Sequence, residues 1–330
     1  MLEQLTGNLI ELVNYPLDPT KRIFGLYLLG ALLLVLPLYW RQRHSGSRSL
    51  WRFLFPSQIY RQPSVGHDLG LWVINKLIRS LLLLPLMLTM VPVALAVSDG
   101  LEWLFGQPLA LVWPQWAVTL LFTLLLFVLD DLSRFLLHLA MHKVPWLWDY
   151  HKVHHSAPVL TPMTIYRSHP LESYLYACRM ALSQGLAIGI GYFLFASSLQ
   201  VYDILGANLF VFLFNLLGAN LRHSHLWISW GTPLEKWFIS PAQHQLHHSD
   251  DIAHRDCNLG SALACWDRWF GQWLPAEQAD PKCLTFGCGS AAGHDSLLGL
   301  YLTPIGDNLQ RLRRYLVRWQ RAIIAPGNRE

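Results

Sequence analysis

Histidine is the residue type whose positions in this chain most clearly predict chemistry. Twelve of the fifteen histidines lie between His138 and His254. Eight of them form three blocks with spacings of one to four residues: His138 and His142; His151, His154 and His155; His244, His247 and His248. Helical residues three or four apart share a face, and imidazole is the commonest metal ligand. The blocks therefore predict metal binding.

The number of histidines predicts more than one metal ion. A mononuclear site uses about three or four protein ligands, so eight histidines at ligand spacing predict two metals held between helices. Imidazole suits iron, zinc, copper and nickel alike, and the spacing does not choose among them. The alternative is a set of exposed or hydrogen-bonded histidines without metal. The x2-His-His spacing occurs twice, at His151 and at His244, which argues against a chance cluster.

Composition indicates an integral membrane protein. Of 330 residues, 53% are hydrophobic and only 14% are charged, and the mean hydropathy is +0.28, unlike an ordinary soluble domain. The net charge of +4 is small; a basic membrane-facing surface explains it, and no nucleic-acid-binding signature is present. The five cysteines lack zinc-ribbon spacing and are read as reduced thiols or small buried hydrophobes.

Apolar runs predict an all-α fold with about five transmembrane helices. A run of about 20 apolar residues can span a bilayer, and the predicted spans are Ile23–Trp40, Ser80–Ser98, Gln115–His142, Met180–Leu199 and Ile204–Leu221. The basic loop from Arg41 to Arg61 is cytoplasmic by the positive-inside rule. The alternation of spans then puts every histidine block in a cap on the cytoplasmic side.

Three regions follow from this reading. Residues 1–112 contain two transmembrane helices, 113–275 form the catalytic domain, and 276–330 form a tail. In the tail, Ile305–Ile324 combines arginines with leucines at three- and four-residue spacing, which predicts an interfacial amphipathic helix on anionic lipid. A solvated surface helix is the alternative.

Five stretches resemble the fatty acid hydroxylase and sterol desaturase superfamily of membrane di-iron oxygenases. They are Asp131–His142 (DLSRFLLHLAMH), Trp148–Ser156 (WDYHKVHHS), Tyr166–Glu172 (YRSHPLE), His244–Ser249 (HQLHHS) and Asp256–Gly271. By position, the resemblance makes the eight block histidines the catalytic iron ligands. It also implies one isolated ligand, for which His223 is preferred over His225.

The remaining histidines have weaker assignments. His169, in the YRSHPLE stretch, either ligates a metal or supports one, and His254 supports the site or lies at the surface. We regard three others as incidental: His44, His67 and His294.

Two adjacent acids precede His138 by about two turns, and an intramembrane carboxylate is usually functional or paired. Asp131 could orient a ligand imidazole, or Asp130 and Arg134 could form an ion pair at spacing four.

The resemblance also implies an activity. Two Fe²⁺ ions would use O2 to hydroxylate a C–H bond of a fatty-acyl, sterol-like or isoprenoid lipid; desaturation is the alternative. Electrons from NAD(P)H would arrive through a separate ferredoxin, or a cytochrome with its reductase, because the chain has no dinucleotide-binding glycine fingerprint. The expected location is a bacterial inner membrane, or alternatively the endoplasmic reticulum.

Two other classes of membrane metalloprotein fit less well. A zinc hydrolase is expected to carry a His-Glu-x2-His helix, which the sequence lacks. A metal transporter should place its ligands near the bilayer midplane, whereas these histidines gather at predicted helix ends and in loops.

Overall fold

A computed structural model describes residues 2–43, 49–288 and 293–324. The described chain is mostly helical, as predicted, with one two-stranded hairpin. The α-helices are α1 (Leu2–Asn14), α2 (Gly25–Arg43), α3 (Leu50–Leu54), α4 (Ser57–Tyr60), α5 (Pro63–Ile78), α6 (Met90–Phe105), α7 (Gln115–Lys143), α8 (Pro145–His155), α9 (Pro170–Phe195), α10 (Leu209–Leu216), α11 (Thr232–Glu235), α12 (Pro241–His247), α13 (Cys265–Phe270) and α14 (Leu297–Ile324). The hairpin pairs β1 (Asp203–Ile204) with β2 (Ala207–Asn208).

Three helical segments among the described residues are long and apolar enough to cross a membrane. They are Gly25–Gln42, Pro63–Phe105 and Pro170–Phe195. The second comprises α5, a π-helical turn at Arg79–Leu83 and α6, with extended backbone at Met87 and Thr89. These segments contain most of the first, second and fourth predicted spans. The third predicted span is also a single helix, α7, which brings His138 and His142 to its C-terminal end.

The fifth predicted span, Ile204–Leu221, is wrong as a continuous helix. The segment begins in the β-hairpin, forms the eight-residue α10, and ends in a 3-10 turn at Ala219–Arg222. Eight helical residues extend about 12 Å, far less than the roughly 30 Å of a bilayer core. Gly206 and Gly218 adopt positive φ angles of 83° and 89°, and these turns interrupt a run that hydropathy alone reads as uniform.

Helix α9 joins the apolar helices to one another. It packs parallel to α6, where a Cβ at Gly185 would lie 2.5 Å from Val93, so the two backbones approach closely only because glycine has no side chain. Helix α9 runs antiparallel to α7, and Arg179 binds Asp130 at 2.8 Å. Asp130 also accepts from Arg134 at 2.9 Å, which is the ion pair weighed above.

The C-terminal helix packs on the helix that carries the second histidine block. Arg311 of α14 donates to both carboxylate oxygens of Asp149 on α8, at 3.0 to 3.2 Å. Asn308 donates to the Trp146 carbonyl at 3.2 Å. Helix α14 starts at Leu297, before the predicted Ile305, and its distal residues are largely exposed. The predicted helix is confirmed; its contact with lipid stays a prediction.

Candidate metal centre

Four segments deliver histidines to one buried region. Helix α7 carries the first block, α8 the second, and α12 with its C-cap His248 the third. His223 follows the 3-10 turn at Ala219–Arg222. Helix α12 starts where it does because Ser240 accepts from the Gln243 backbone N–H at 3.1 Å in a capping box, with Pro241 at the first helical position.

The nine predicted ligands converge in two groups. Within each group, one ligand atom per residue lies within 4.8 Å of all the others. The five-histidine cluster contains His138, His142, His151, His155 and His247. The four-histidine cluster contains His154, His223, His244 and His248. The second block is thus divided between the clusters.

Oxygen atoms orient the imidazoles of the five-histidine cluster. The Nδ1 atoms of His138 and His247 donate to the carbonyls of Leu259 and Cys257 at 2.7 and 2.9 Å. Nδ1 of His142 lies 3.1 Å from the Asp256 carboxylate, and Nδ1 of His151 lies 2.9 Å from Glu172 Oε1. Carbonyl and ionised carboxylate oxygens only accept, so each Nδ1 carries the hydrogen and each Nε2 keeps a lone pair.

The Nε2 lone pairs of this cluster do not accept a hydrogen bond from any described donor. Nε2 of His138 and Nε2 of His151 face each other at 3.0 Å. The Nε2 atoms of His142, His155 and His247 are buried with no hydrogen-bond partner among the described residues. An unsatisfied buried polar atom costs about 1–3 kcal/mol, and a cation between the lone pairs would remove this cost. The donor set therefore fits a metal ion.

The four-histidine cluster has the same property around His223. Its Nε2 lies 3.2 Å from that of His154, 3.0 Å from that of His248 and 3.1 Å from that of His244. One ring nitrogen can donate to only one neighbour, and Nδ1 of His154 already donates to the Arg167 carbonyl at 3.1 Å. Four converging nitrogens fit a second metal ion.

Burial keeps these imidazoles neutral. It lowers the pKa of His151 and of His154 to about 3, and it lowers the pKa of His155, His244 and His247 well below the usual value. Neighbouring histidines also lower the pKa of His154, His155, His244 and His247. Neutral imidazole is the form that binds a metal, so these side chains are ready to ligate at neutral pH.

Two carboxylates contact ligand rings directly. Glu172, in the first turn of α9, is 5% exposed and binds His151. Sequence reasoning gave Glu172 no role; the available signal was an acid at the start of an apolar helix. Asp256 begins the last of the five resembling stretches. It contacts His142 and accepts from Lys143 at 2.7 Å.

Asp131 does not orient an imidazole, so that alternative is wrong. Its two oxygens accept from the backbone N–H groups of Ala262 and Leu263 at 2.8 and 3.0 Å, and from Trp266 Nε1 at 2.8 Å. Asp131 thereby anchors the loop that contains Leu259. Its action on His138 is indirect, because the Leu259 carbonyl holds that ring.

The other candidate histidines lie outside both clusters. His169 caps α9, accepting from the Leu171 N–H at 3.2 Å, and donates to the Tyr301 carbonyl. His225 binds the Phe53 carbonyl at 2.9 Å, and His254 contacts Ser249 Oγ at 3.0 Å. Two predicted incidental histidines, His67 and His294, are also outside the clusters. His44 lies outside the described residues.

A cavity reaches the five-histidine cluster. Its volume is about 450 Å³, and His142, His155 and His247 form part of its wall with Trp148. The remainder of the wall mixes charged side chains, among them Lys152 and Arg255, with apolar ones such as Ile252. No member of the four-histidine cluster lines this cavity, and all four are buried. The cavity therefore gives small molecules access to one cluster.

The fold and site define a helical protein with three segments able to cross a membrane and two histidine clusters whose donor sets fit metal ions. Residues 123–272 match the fatty acid hydroxylase family model, a segment that contains all nine clustered histidines. The resemblance of the sequence motifs is confirmed: this segment is similar to the fatty acid hydroxylase and sterol desaturase superfamily.

The relatives that match this chain carry the names of lipid-modifying oxidoreductases. An ornithine lipid hydroxylase of Rhizobium tropici is 28% identical over 161 residues, or 48% of this chain and 44% of the relative. An alkylglycerol monooxygenase of Xenopus tropicalis is 27% identical, covering 45% and 29%. A Delta(7)-sterol 5(6)-desaturase of Gibberella zeae is 27% identical, covering 50% and 46%. The matches thus span less than half of each relative. No solved structure gives a significant match.

Proposed function

We propose that this protein is a membrane-bound di-iron oxygenase that hydroxylates a lipid C–H bond. The observation that carries the proposal is the convergence of nine histidines, all buried except the partly buried His138, in two clusters with Nε2 lone pairs that lack donors. Two metal ions of a class that prefers imidazole satisfy those lone pairs. Relatives named hydroxylase and monooxygenase support iron and oxygen chemistry at such a centre.

The chain's own groups would bind, orient and enclose the metals. A lipid C–H bond offers no polarised atom to an acid or base, and bound iron would supply the activation of O2 that the cleavage requires. Glu172 and the Leu259 carbonyl fix the rings of His151 and His138 with their lone pairs inward. The cavity beside His142 offers a route for O2 and protons.

The membrane arrangement forms part of the proposal. We place the histidine clusters on the cytoplasmic side, with α7 as a further crossing beside the three apolar segments and α14 on anionic lipid. We propose the same three regions as the sequence predicts: an N-terminal region at 1–112, a catalytic domain at 113–275 and a tail at 276–330. Electrons would come from NAD(P)H through a separate ferredoxin or cytochrome with its reductase. A bacterial inner membrane is the proposed location, with the endoplasmic reticulum as the alternative.

Metal analysis of protein purified anaerobically tests the proposal. We expect two irons per chain, with a coupled pair in the Mössbauer spectrum, and an O2-dependent lipid product heavier by one oxygen atom. A product lacking two hydrogens would instead indicate desaturation. Zinc without iron-binding capacity would overturn the oxygenase assignment and favour a hydrolase or a transporter.

Replacement of one clustered histidine sharpens the test. His247→Ala removes a ligand-positioned nitrogen from the five-histidine cluster, so we expect loss of iron and loss of turnover to below about 1%. His67→Ala, outside both clusters, is the matched control and should retain both. Normal iron content in His247→Ala would contradict the ligand assignment.

A further inference from the structure

Two arginines beside the four-histidine cluster have no acidic partner. Arg22 precedes α2 and is partly buried, and Arg222 ends the 3-10 turn immediately before His223 and is only 5% exposed. Across the described parts of the chain, no carboxylate lies within ion-pair distance of either guanidinium.

Both guanidinium groups contact one aromatic ring. The Cζ atoms of Arg22 and Arg222 lie 5.9 and 5.4 Å from the ring centroid of Phe214, so both cations border the same ring. Arg22 donates to the Asn215 side-chain oxygen, and Arg222 donates to the Ser261 carbonyl. The Nε–H of Arg222 is buried and has no partner among the described residues.

Other buried arginines of this fold are paired with carboxylates. Arg167 binds Asp68 at 2.9 Å, and Arg179 binds Asp130 at 2.8 Å. Neutral acceptors and one ring face only partly compensate a buried charge, and an uncompensated one costs several kcal/mol. An anion supplied from outside the chain would remove this cost at Arg22 and Arg222.

We propose that Arg22 and Arg222 bind the anionic group of a lipid, a phosphate or a carboxylate, and thereby hold the substrate beside the four-histidine cluster. The proposal rests on the proposed lipid-oxidising function. Guanidinium suits such groups because its planar N–H donors match two oxygens at once. Arg222 and His223 are consecutive, so the anion would be fixed next to the metal centre, and the oxidised carbon would be chosen by its distance from the headgroup.

Native mass spectrometry of the delipidated full-length protein tests this site without turnover. The probes are phosphatidylglycerol and diacylglycerol with identical acyl chains, because diacylglycerol has no anionic group. We expect tighter binding of phosphatidylglycerol to the wild type. Arg22→Gln should weaken that binding about tenfold, as expected for loss of one charge-assisted contact, and leave diacylglycerol binding unaffected. Arg222→Lys keeps the charge but loses the planar donors, and should weaken it by a smaller factor.

Arg61→Gln is the matched control, because Arg61 is exposed and distant in sequence from the histidine blocks; it should bind both lipids like the wild type. Equal affinities of the wild type for the two lipids, or an unchanged affinity in Arg22→Gln, would overturn the proposal. Displacement of phosphatidylglycerol by an equal concentration of inorganic phosphate would overturn the assignment to a lipid headgroup.

Metal content of each variant separates the two proposals. Arg22→Gln should keep the wild-type metal content, which shows that the centre has folded. If the wild type proved to lack an oxygenase activity, the lipid preference would still be measurable. If the preference failed while the oxygenase activity held, only the arginine site would be lost.

Discussion

At the residue scale, the metal centre depends on what holds the far side of each ring. Five clustered imidazoles point Nδ1 at an oxygen: carbonyls for His138, His154 and His247, carboxylates for His142 and His151. This fixes the tautomer and turns Nε2 toward the shared space. Carboxylates additionally raise the basicity of the ring, so Glu172 and Asp256 should matter more to metal affinity than any one carbonyl.

We therefore predict that Glu172→Gln weakens iron binding. The amide can still accept from His151 Nδ1, but the negative charge is lost, so we expect iron affinity to fall about 10- to 100-fold. Competition with a chelator measures the affinity. Glu102→Gln, on α6, is the control, since Glu102 contacts Ser98 and no histidine. Equal affinities in the two variants would show that Glu172 does not tune the ligand.

At the element scale, α8 and α12 each carry histidines of both clusters. Helix α8 supplies His151 and His155 to one cluster and His154 to the other. Helix α14 packs on the outer side of α8. Arg311 forms an ion pair with Asp149, and Leu300 packs against Val153. A helix outside the family-matched segment thereby supports the position of three ligands.

Arg311→Gln should loosen this support. Asp149 is almost fully buried, and removal of Arg311 leaves its carboxylate with the more distant Lys152, at 3.9 Å, so we expect a loss of about 1–3 kcal/mol in unfolding free energy and a lower melting temperature. Arg313→Gln, an exposed position on the same helix, should change neither. A double-mutant cycle with Asp149→Asn measures the coupling; a coupling near zero would mean that the ion pair does not fasten α14 to α8.

At the scale of the whole molecule, stability depends on keeping the clustered histidines neutral. Four segments far apart in sequence bring neutral histidines into one buried region, and the unfolded chain exposes all of them to water. Protons therefore favour unfolding once the pH falls below about 6.5, the ordinary pKa of histidine. Folded His151 and His154 do not take up protons until the pH approaches their pKa of about 3.

Metal-free protein should consequently lose stability as the pH falls from about 6.5 toward 3. Each of His151 and His154 contributes up to about 1.4 kcal/mol per pH unit across this window, or about 4 kcal/mol together by pH 5. Thermal unfolding of chelator-treated protein between about pH 7.5 and pH 5 measures the effect, with a plateau expected above pH 7 from these groups. A melting temperature independent of pH would show that the rings are hydrated rather than buried.

Much of the fold class and the candidate site could be predicted from local sequence. Hydropathy locates the apolar helices because span length is set by bilayer thickness, and helical spacing selects the histidine blocks because it fixes which side chains share a face. The run Ile204–Leu221 failed because hydropathy does not register the turns at Gly206 and Gly218. Local spacing also left open whether Asp131 orients an imidazole or Asp130 pairs with Arg134, and the structure shows the ion pair.

The amino-acid sequence by itself determined the helical, apolar character of the chain, its histidine blocks and its resemblance to the fatty acid hydroxylase superfamily, since composition and short spacings are local properties. Only the tertiary structure decided how the nine histidines divide five and four, that Glu172 holds His151, and that Arg22 and Arg222 border the same Phe214 ring. These pairings join residues 21 to 200 positions apart. Such contacts depend on how whole helices pack, which no local spacing encodes.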